Sequence, residues 1–351
     1  MIDFSIQRYA FFALAAAMLF GASTPFAKLL LGEIPPVVLA GLLYLGSGLG
    51  LAVLRLAQGR DERPREARLD VSGWGWLAGA IFSGGVVAPV LLLWGLAGGG
   101  AADTSLLLNF EGVTTTLVAG VLFREAIGAR IWLAALLMLA GGLVLAYDPR
   151  SPLAFSPQSL AVVGACLAWA LDNNLTRKVA SADPVFTAMV KGLAAGSFNL
   201  ALGLALGGTL PAPGTAVSAV ALGFFAYGVS LVLFIYALRH LGAARTGAHF
   251  STAPFIGAAI AVPLLGEPLT PGLIAATSFM AVATWLVLTE SHEHEHEHQR
   301  LVHTHRHIHD EHHQHAHNGD EGDEPHSHEH VHEPMRHTHP HLPDLHHRHE
   351  H

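Results

Sequence analysis

The sequence contains little cysteine, little charge over most of its length, and no nucleotide-binding loop. Cys166 is the only cysteine in 351 residues, so no disulfide framework exists and an oxidising compartment is not implied. No glycine-rich loop of the Walker type is present, which disfavours an ATP-driven pump. Charged residues make up 13% of the chain; residues 1–290 have a net charge of +1, whereas residues 291–351 carry −9. The acidity therefore belongs to the C-terminal segment.

Long apolar runs fill the near-neutral part of the chain. A bilayer core of about 30 Å requires roughly 20 apolar residues in a helix. Ten runs of this kind predict membrane spans near residues 9–31, 35–56, 73–97, 103–123, 129–147, 158–177, 185–207, 216–238, 245–265 and 270–289. Because nine spans follow the first one, we interpret it as a retained helix and not as a signal peptide. We predict an all-α polytopic membrane protein with ten transmembrane helices.

Basic residues are concentrated in alternate connections between the predicted spans. The connections rich in arginine and lysine hold Arg55, Arg60, Arg63, Arg65, Arg68, Arg124, Arg130, Arg177, Lys178, Arg239 and Arg245. The opposite connections hold almost only Arg150, with Lys28 near one span end. Since basic connections stay on the cytoplasmic side, we predict a multi-pass protein of the cytoplasmic (inner) membrane with both termini in the cytoplasm.

Landmarks of the first half of the chain recur in the second half. A shift of 149 residues aligns Lys28 with Arg177 and Pro35 with Pro184. A shift of 142 residues aligns Thr104 with Thr246 and Glu125 with Glu267. We predict two five-helix repeats, at residues 9–147 and 158–289. Because five is odd, the second repeat must insert upside down relative to the first, as in many secondary transporters.

Several segments carry a family resemblance. They are Gly21-Ala-Ser-Thr-Pro-Phe-Ala-Lys28, Ser105-Leu-Leu-Leu-Asn-Phe-Glu-Gly-Val113 with Phe123-Arg-Glu125, Ala140-Gly-Gly142, Ala168-Trp-Ala-Leu-Asp-Asn-Asn-Leu-Thr-Arg-Lys178, and Ser251-Thr-Ala-Pro-Phe255 with Gly266-Glu-Pro-Leu-Thr270. Together they resemble the drug/metabolite transporter superfamily, in particular its ten-span EamA-type members. The resemblance implies a secondary transporter of small organic metabolites or drug-like compounds. The family usually has proline where this chain has Gly112.

Glu111 is the strongest candidate for a functional residue inside the membrane. It lies about 12 Å from the predicted outer end of the fourth span, because each helical residue rises about 1.5 Å. A charge at that depth is costly and is a functional candidate by default. Burial favours its protonated form, which would suit a proton-coupled carrier. The alternative is a structural carboxylate that is hydrogen-bonded to a neighbouring helix.

Other polar residues inside the spans complete the predicted transport cavity. The full set of candidates is Ser23, Thr24, Asn109, Glu111, Thr114, Trp169, Asp172, Asn173, His249 and Ser251. Asp172 and Asn173 could equally serve as polar contacts between helices. His249 could be a hydrogen-bonded packing residue, and Lys191 could extend its ammonium to the inner surface.

The C-terminal tail, residues 291–351, holds 23 of the 25 histidines of the chain. Many alternate with other residues, and these are the candidate metal ligands: His292, His294, His296, His298, His303, His305, His307, His309, His326, His328, His330, His332, His337, His339 and His341. Neutral imidazole binds Zn, Ni or Co, and the interleaved carboxylates add oxygen donors. Low hydrophobicity predicts a tail that is disordered without metal. The alternative is a solvated tail that only responds to pH.

Three functions remain open from sequence. The leading hypothesis is a secondary transporter that exports small organic compounds in exchange for protons, with a cytoplasmic tail that binds transition metals and regulates it. The second is an efflux transporter for Zn, Ni or Co that collects its cargo with the tail, and the third is a membrane metal sensor or buffer without transport. An enzyme is the least expected class. The implied partners are the lipid bilayer, a small-molecule cargo and divalent transition metal ions; no nucleic acid and no required cofactor are expected, and a homodimer is left open.

Overall fold

The computed structural model describes most of the helical body and four short segments of the tail. The described residues are 4–57, 69, 71–123, 128–148, 151, 155–179, 182–241, 243–289, 292–298, 301–307, 326–332 and 335–341. The helices are α1 (Phe4–Leu30), α2 (Pro36–Ala57), α3 (Val71–Ala80), α4 (Ala88–Gly98), α5 (Ala101–Leu107), α6 (Phe110–Phe123), α7 (Ala129–Ala146), α8 (Pro157–Thr176), α9 (Pro184–Ala205), α10 (Pro213–Gly223), α11 (Ser230–Leu241), α12 (Ala243–Phe250), α13 (Ala253–Leu265) and α14 (Pro271–Leu288).

Several of these helices run on from one another and form longer rods. Single turns of π-helix, Ile81–Val87 and Phe224–Val229, join α3 to α4 and α10 to α11. Eight helical stretches in the described chain are long and apolar enough to cross a membrane: Gln7–Leu30, Pro36–Ala57, Val71–Gly98, Ala129–Ala146, Pro184–Ala205, Pro213–Leu238, Arg245–Leu265 and Pro271–Leu288. An all-α polytopic membrane protein is thus confirmed.

Two predicted spans do not reach this length and hydropathy. The fourth span is interrupted between α5 and α6, and the sixth span, α8, carries Asp172, Asn173 and Asn174 near its end; neither is among the eight stretches. The number of ten spans therefore stays a prediction.

Proline begins many of the helices after their connecting loops. Pro36, Pro157, Pro184, Pro213 and Pro271 each stand at the first position of a helix, where the missing N–H removes no intrahelical bond. At α9 the cap is completed by Asp183, whose Oδ1 accepts from the backbone N–H groups of Val185 (2.9 Å) and Phe186 (3.0 Å). These starts are encoded locally and agree with the predicted positions of the connections.

The two halves of the chain pack in a similar way. In the first half α4 and α6 lie against α8, the first helix of the second half, and in the second half α11 and α13 lie against α1, the first helix of the first half. The pairs α2 with α9 and α7 with α14 also join the halves. Between α2 and α9 the backbones approach so closely that a Cβ added at Gly48 would lie 2.5 Å from the Leu193 nitrogen, and one at Gly196 would lie 2.5 Å from the Leu45 nitrogen. Small residues are typical of such contacts between membrane helices.

The fourth and ninth spans break at matching places. The first break is at Leu108–Asn109, between α5 and α6, and the second is at Ser251–Thr252, between α12 and α13. Asn109 and Ser251 are related by the same 142-residue shift, and each donates to the carbonyl three residues earlier, at 2.9 Å to Leu106 and 2.8 Å to Ala248. Such side-chain bonds compete with helical ones and favour a break.

Four segments of the tail are extended. They are β1 (His292–His298), β2 (Leu301–His307), β3 (His326–His332) and β4 (Met335–His341); β1 pairs antiparallel with β4 and β2 with β3. The register sets histidines opposite histidines, as with His294 and His339. Neither pair packs extensively on the described helices. Isolated two-stranded pairs are marginally stable at best in water, so these four described segments form no packed core, in agreement with the prediction of disorder without metal.

Candidate transport cavity

A partly open cavity of about 270 Å³ lies between the two broken spans. Its wall comes from α1, the α5–α6 span, α7, the α12–α13 span and α14, through Phe20, Leu108, Asn109, Glu111, Gly112, Val113, Met138, Gly247, Phe250, Ser251, Ala253, Pro254, Thr284, Val287 and Leu288. The wall runs from the middle of the bundle to Leu288, at the end of α14. Most of it is apolar, and Glu111 is the only charged residue among the described residues that line it.

The two helix breaks place the polar groups of this wall. Asn109 lies at one break and Ser251 at the other, and Thr284 of α14 donates its hydroxyl to the Asn109 side-chain oxygen at 3.4 Å. Irregular backbone inside a membrane is tolerated where it lines a cavity, because polar groups can be satisfied there. Glu111 follows directly after the first break, in the first turn of α6.

Glu111 also connects the cavity to α8. Its Oε1 accepts a hydrogen bond from the Asn173 amide at 3.0 Å, and the same amide lies 3.3 Å from the Thr115 hydroxyl. The neighbouring Asn174 donates to the Thr115 carbonyl at 3.1 Å and to the Ala170 carbonyl at 2.8 Å. The carboxylate therefore belongs both to the cavity wall and to a polar contact between α6 and α8.

Asp172 faces away from this wall and forms an ion pair inside the bundle. The Lys191 ammonium lies 2.5 Å and 2.7 Å from its two carboxylate oxygens, and the Thr176 hydroxyl donates to Oδ1 at 2.9 Å. Only 7% of the Asp172 side chain and 19% of that of Lys191 are exposed. The interpretation of Lys191 as a side chain extended to the inner surface does not hold, because the ammonium is bound to Asp172.

The π-helical turn between α3 and α4 supplies acceptors to this network. The Gly84 carbonyl accepts from the Trp169 indole at 3.0 Å and from the Tyr44 hydroxyl at 2.8 Å, and the Gly85 carbonyl accepts from the Asn199 amide at 2.8 Å. Glycine is required at position 84, because a Cβ there would lie 1.9 Å from Asp172 Oδ2. The paired glycines inside an apolar run were the only sequence signal for this contact.

The predicted cavity residues are thus divided between several places. Asn109, Glu111 and Ser251 line the cavity, and Asn173 contacts Glu111. The others lie elsewhere: Ser23 and Thr24 are buried in α1, Thr114 donates to the Phe110 carbonyl, Trp169 and Asp172 belong to the network at Gly84 and Lys191, and His249 Nδ1 lies 2.6 Å from the Arg245 carbonyl. Sequence reasoning did not single out Phe20, Met138, Phe250 and Thr284, which also line the cavity.

A second cavity, of about 290 Å³, lies beside α13 and α14 and offers less chemistry. Its polar lining residues, Thr277 and Ser278, donate to the Leu273 and Ile274 carbonyls of their own helix. The rest of its wall is apolar. This cavity therefore presents mainly apolar side chains, and its two described hydroxyl groups are already hydrogen-bonded within α14.

The candidate metal ligands are the tail histidines, whose side chains lie outside those that the structure describes. Among the described side chains, no group of three or more histidine, cysteine, aspartate or glutamate residues is arranged to hold a metal ion. Metal binding by the tail therefore stays a prediction from the sequence.

Comparison with known proteins agrees with this architecture. The EamA-like transporter family matches the chain twice, over residues 7–147 and 157–289. An uncharacterized transporter of Methanothermobacter thermautotrophicus is 28% identical over 273 residues, covering 73% of this chain and 78% of the relative. An uncharacterized protein of Pseudomonas aeruginosa is 33% identical over 178 residues, covering 50% of this chain and 61% of that protein. One solved crystal structure shares the fold at a TM-score of 0.57 and 17% identity, covering 80% of this chain and 96% of its own.

A polytopic helical bundle with a mostly apolar cavity at two broken spans, together with the family match, indicates a membrane transporter of small molecules, working in a lipid bilayer. The chain belongs to the EamA-like transporter family, within the drug/metabolite transporter superfamily. This membership indicates a transport function.

Proposed function

We propose that this protein is a secondary transporter of small organic metabolites or drug-like compounds. The observation that carries the proposal is the cavity between the broken fourth and ninth spans, with Glu111 as the one charge of its wall. Alternating access between two inverted five-helix repeats would expose such a cavity to each side in turn. The similar packing of the two halves supports the duplication on which that motion depends.

The cavity wall favours a particular kind of cargo. Ligand sites for small organic molecules are mostly apolar with a few placed polar groups, and their volumes begin near 300 Å³. The wall has aromatic and aliphatic side chains, the polar groups of Asn109, Ser251 and Thr284, and the carboxylate of Glu111. We expect a compact compound with an apolar body and a hydrogen-bonding or positively charged group.

Proton coupling would use Glu111. Proton and cargo would compete for this carboxylate, because a charge is costly inside the membrane unless it is paired. Loss of the proton when cargo enters, and its return from the other side, would drive export. The Asn173 amide, at 3.0 Å, would hold the carboxylate in place during the exchange.

The direct test compares cells that carry the wild-type protein, a Glu111→Gln variant or an empty vector. Metabolite profiles of the medium identify any compound whose export depends on the protein, and that export should fall to the vector level in Glu111→Gln. The matched control is Glu33→Gln, since Glu33 is exposed, lies on the α1–α2 loop and accepts a hydrogen bond from the Thr215 hydroxyl at 2.7 Å. Unchanged export in Glu111→Gln would remove this carboxylate from the mechanism.

The orientation and the tail are further parts of the proposal. Basic connections support an inner-membrane protein with cytoplasmic termini, and alternating histidines support a tail that binds Zn, Ni or Co and regulates transport. The competing functions are metal efflux with the tail as collector, and a metal sensor or buffer without transport.

One experiment separates these functions. Cells with the full chain and cells with a chain ending at Glu290 are compared for metal content under zinc, nickel and cobalt. If metal is the cargo, the full chain lowers cellular metal and the shortened chain does so less. Unchanged metal content, together with export of an organic compound from both, supports the proposed function.

A further inference from the structure

A carboxylate and an ammonium hold the turn between α4 and α5. Glu267, directly after α13, accepts from the backbone N–H groups of Ala101 (2.6 Å) and Ala102 (2.8 Å), at the start of α5. The chain reaches this position through Gly266, whose φ of 67° is left-handed. The first N–H groups of a helix have no partner within the helix, so the carboxylate satisfies two of them.

Lys28 holds the other side of the same turn. Its ammonium, in the last turn of α1, donates to the carbonyls of Leu96 (2.6 Å), Ala97 (3.0 Å) and Gly99 (2.8 Å), at the end of α4. A cation at the end of one helix and an anion at the start of the next each complement the local helix dipole. Residues 96–102 are therefore fixed by one residue from each half of the chain.

Beneath this turn α5 and α13 are in close contact. A Cβ added at Gly257 of α13 would lie 2.7 Å from the Gly21 carbonyl and 2.8 Å from the Ser105 hydroxyl of α5. Ser105 is 1% exposed, and its hydroxyl has no hydrogen-bond partner among the described residues. The cavity lies on the far side of this contact between α5 and α13, between α6 and α12. The described helices α1, α5 and α13 are thus packed tightly where Gly21, Ser105 and Gly257 meet.

We propose that Glu267 and Lys28 form a latch that keeps this end of the transport cavity closed, and that cargo can leave there only when the latch is released. The inference rests on the proposed transport function. It assigns to Glu267 a role that differs from that of Glu111: Glu111 contacts the cavity, whereas Glu267 controls the separation of α5 from α13.

The latch predicts how readily a water-soluble reagent reaches the contact between α5 and α13. A reporter thiol is placed at Ser105, as Ser105→Cys, in a Cys166→Ala background that removes the buried native thiol. The purified full chain is inserted into vesicles and treated with a membrane-impermeant maleimide. In the latched protein the thiol should react slowly. Glu267→Gln should raise its reaction rate about tenfold, because it weakens two charge-assisted hydrogen bonds.

Two further variants make the test specific. Glu33→Gln removes one negative charge at an exposed site on the α1–α2 loop, and it should leave the reaction rate unchanged. Lys28→Gln removes the other part of the latch and should raise the rate as Glu267→Gln does, so the proposal is tested even if Glu267 is needed for insertion. Equal rates in the wild type, Lys28→Gln and Glu267→Gln would overturn the latch.

The result of the labelling experiment is independent of the result of the export experiment. Faster labelling without any exported compound would support the latch and reject the proposed transport function. Export that depends on Glu111, together with unchanged labelling, would reject the latch alone.

Discussion

The buried ion pair between Asp172 and Lys191 allows one prediction to be developed in quantitative detail. Replacing Lys191 with methionine keeps most of the side-chain volume but leaves the Asp172 carboxylate buried without its cation. Breaking a buried pair in this way costs about 3–5 kcal/mol of unfolding free energy. Solvent screening reduces this little, because the two side chains are only 7% and 19% exposed. The Thr176 hydroxyl, at 2.9 Å from Asp172, can compensate only in part.

The assay is equilibrium unfolding of the purified protein in mixed detergent micelles, followed by helix content. The decisive comparison is the double variant Asp172→Asn with Lys191→Met, which removes both charges. Because replacing a buried pair by neutral groups is often close to neutral, the double variant should recover most of the loss. If Lys191→Met costs less than about 1 kcal/mol, the value for an exposed pair, the pair is solvated and the reasoning is wrong. A double variant no more stable than Lys191→Met would also contradict it.

The remaining predictions concern close packing, the helix break and the tail. Gly84→Ala should cost about 1–3 kcal/mol of stability, because its Cβ would lie 1.9 Å from Asp172 Oδ2; Gly75→Ala, with no atom within 4 Å, is the matched control in the same unfolding assay. Gly48→Ala should destabilise by a similar amount, because its Cβ would lie 2.5 Å from the Leu193 nitrogen. A loss of stability equal to that of Gly75→Ala would contradict the close contact between α2 and α9. Asn109→Leu should reduce Glu111-dependent export while the protein still inserts, because it removes the side-chain bond at the helix break; export at the wild-type level would exclude that role. Zinc binding by the full chain should weaken steeply below about pH 6.5, because protonated imidazole cannot bind a metal; titration with a chromophoric chelator at pH 7.5 and 5.5 measures this, and equal binding would implicate the carboxylates instead.

Three of the polar residues that the sequence singled out in apolar segments line the cavity. Asn109, Glu111 and Ser251 were candidates because polar groups in a membrane helix need a partner or a cavity, and all three line the cavity. The same reasoning could not say which partner each residue would have. Asp172 and Lys191 are 19 residues apart on different helices, so their contact depends on how α8 and α9 pack, which no local pattern encodes.

The position of the helix break shows a second limit of the sequence. Gly112 stands where the family has proline, yet the break lies at Leu108–Asn109, before Glu111. Glycine only permits a bend, whereas the Asn109 amide bonds to the Leu106 carbonyl and so offers the backbone an alternative to the helical bond. The repeated pair Glu125 and Glu267 was visible as a landmark, but its meaning came only from the bonds of Glu267 to α5. Glu125 lies outside the described residues.

The break in the fourth span also separates two tasks within one segment of chain. Its first piece, α5, is held at its start by Glu267, and its second piece, α6, carries Glu111 and contacts α8 through Asn173. In an unbroken helix a shift at Glu111 would be transmitted rigidly to α5. With a break two residues before Glu111, α6 can follow its carboxylate while α5 stays latched. The structure therefore permits cargo binding at the cavity and opening of the far end to be successive events, which is what prevents a transporter from opening to both sides at once.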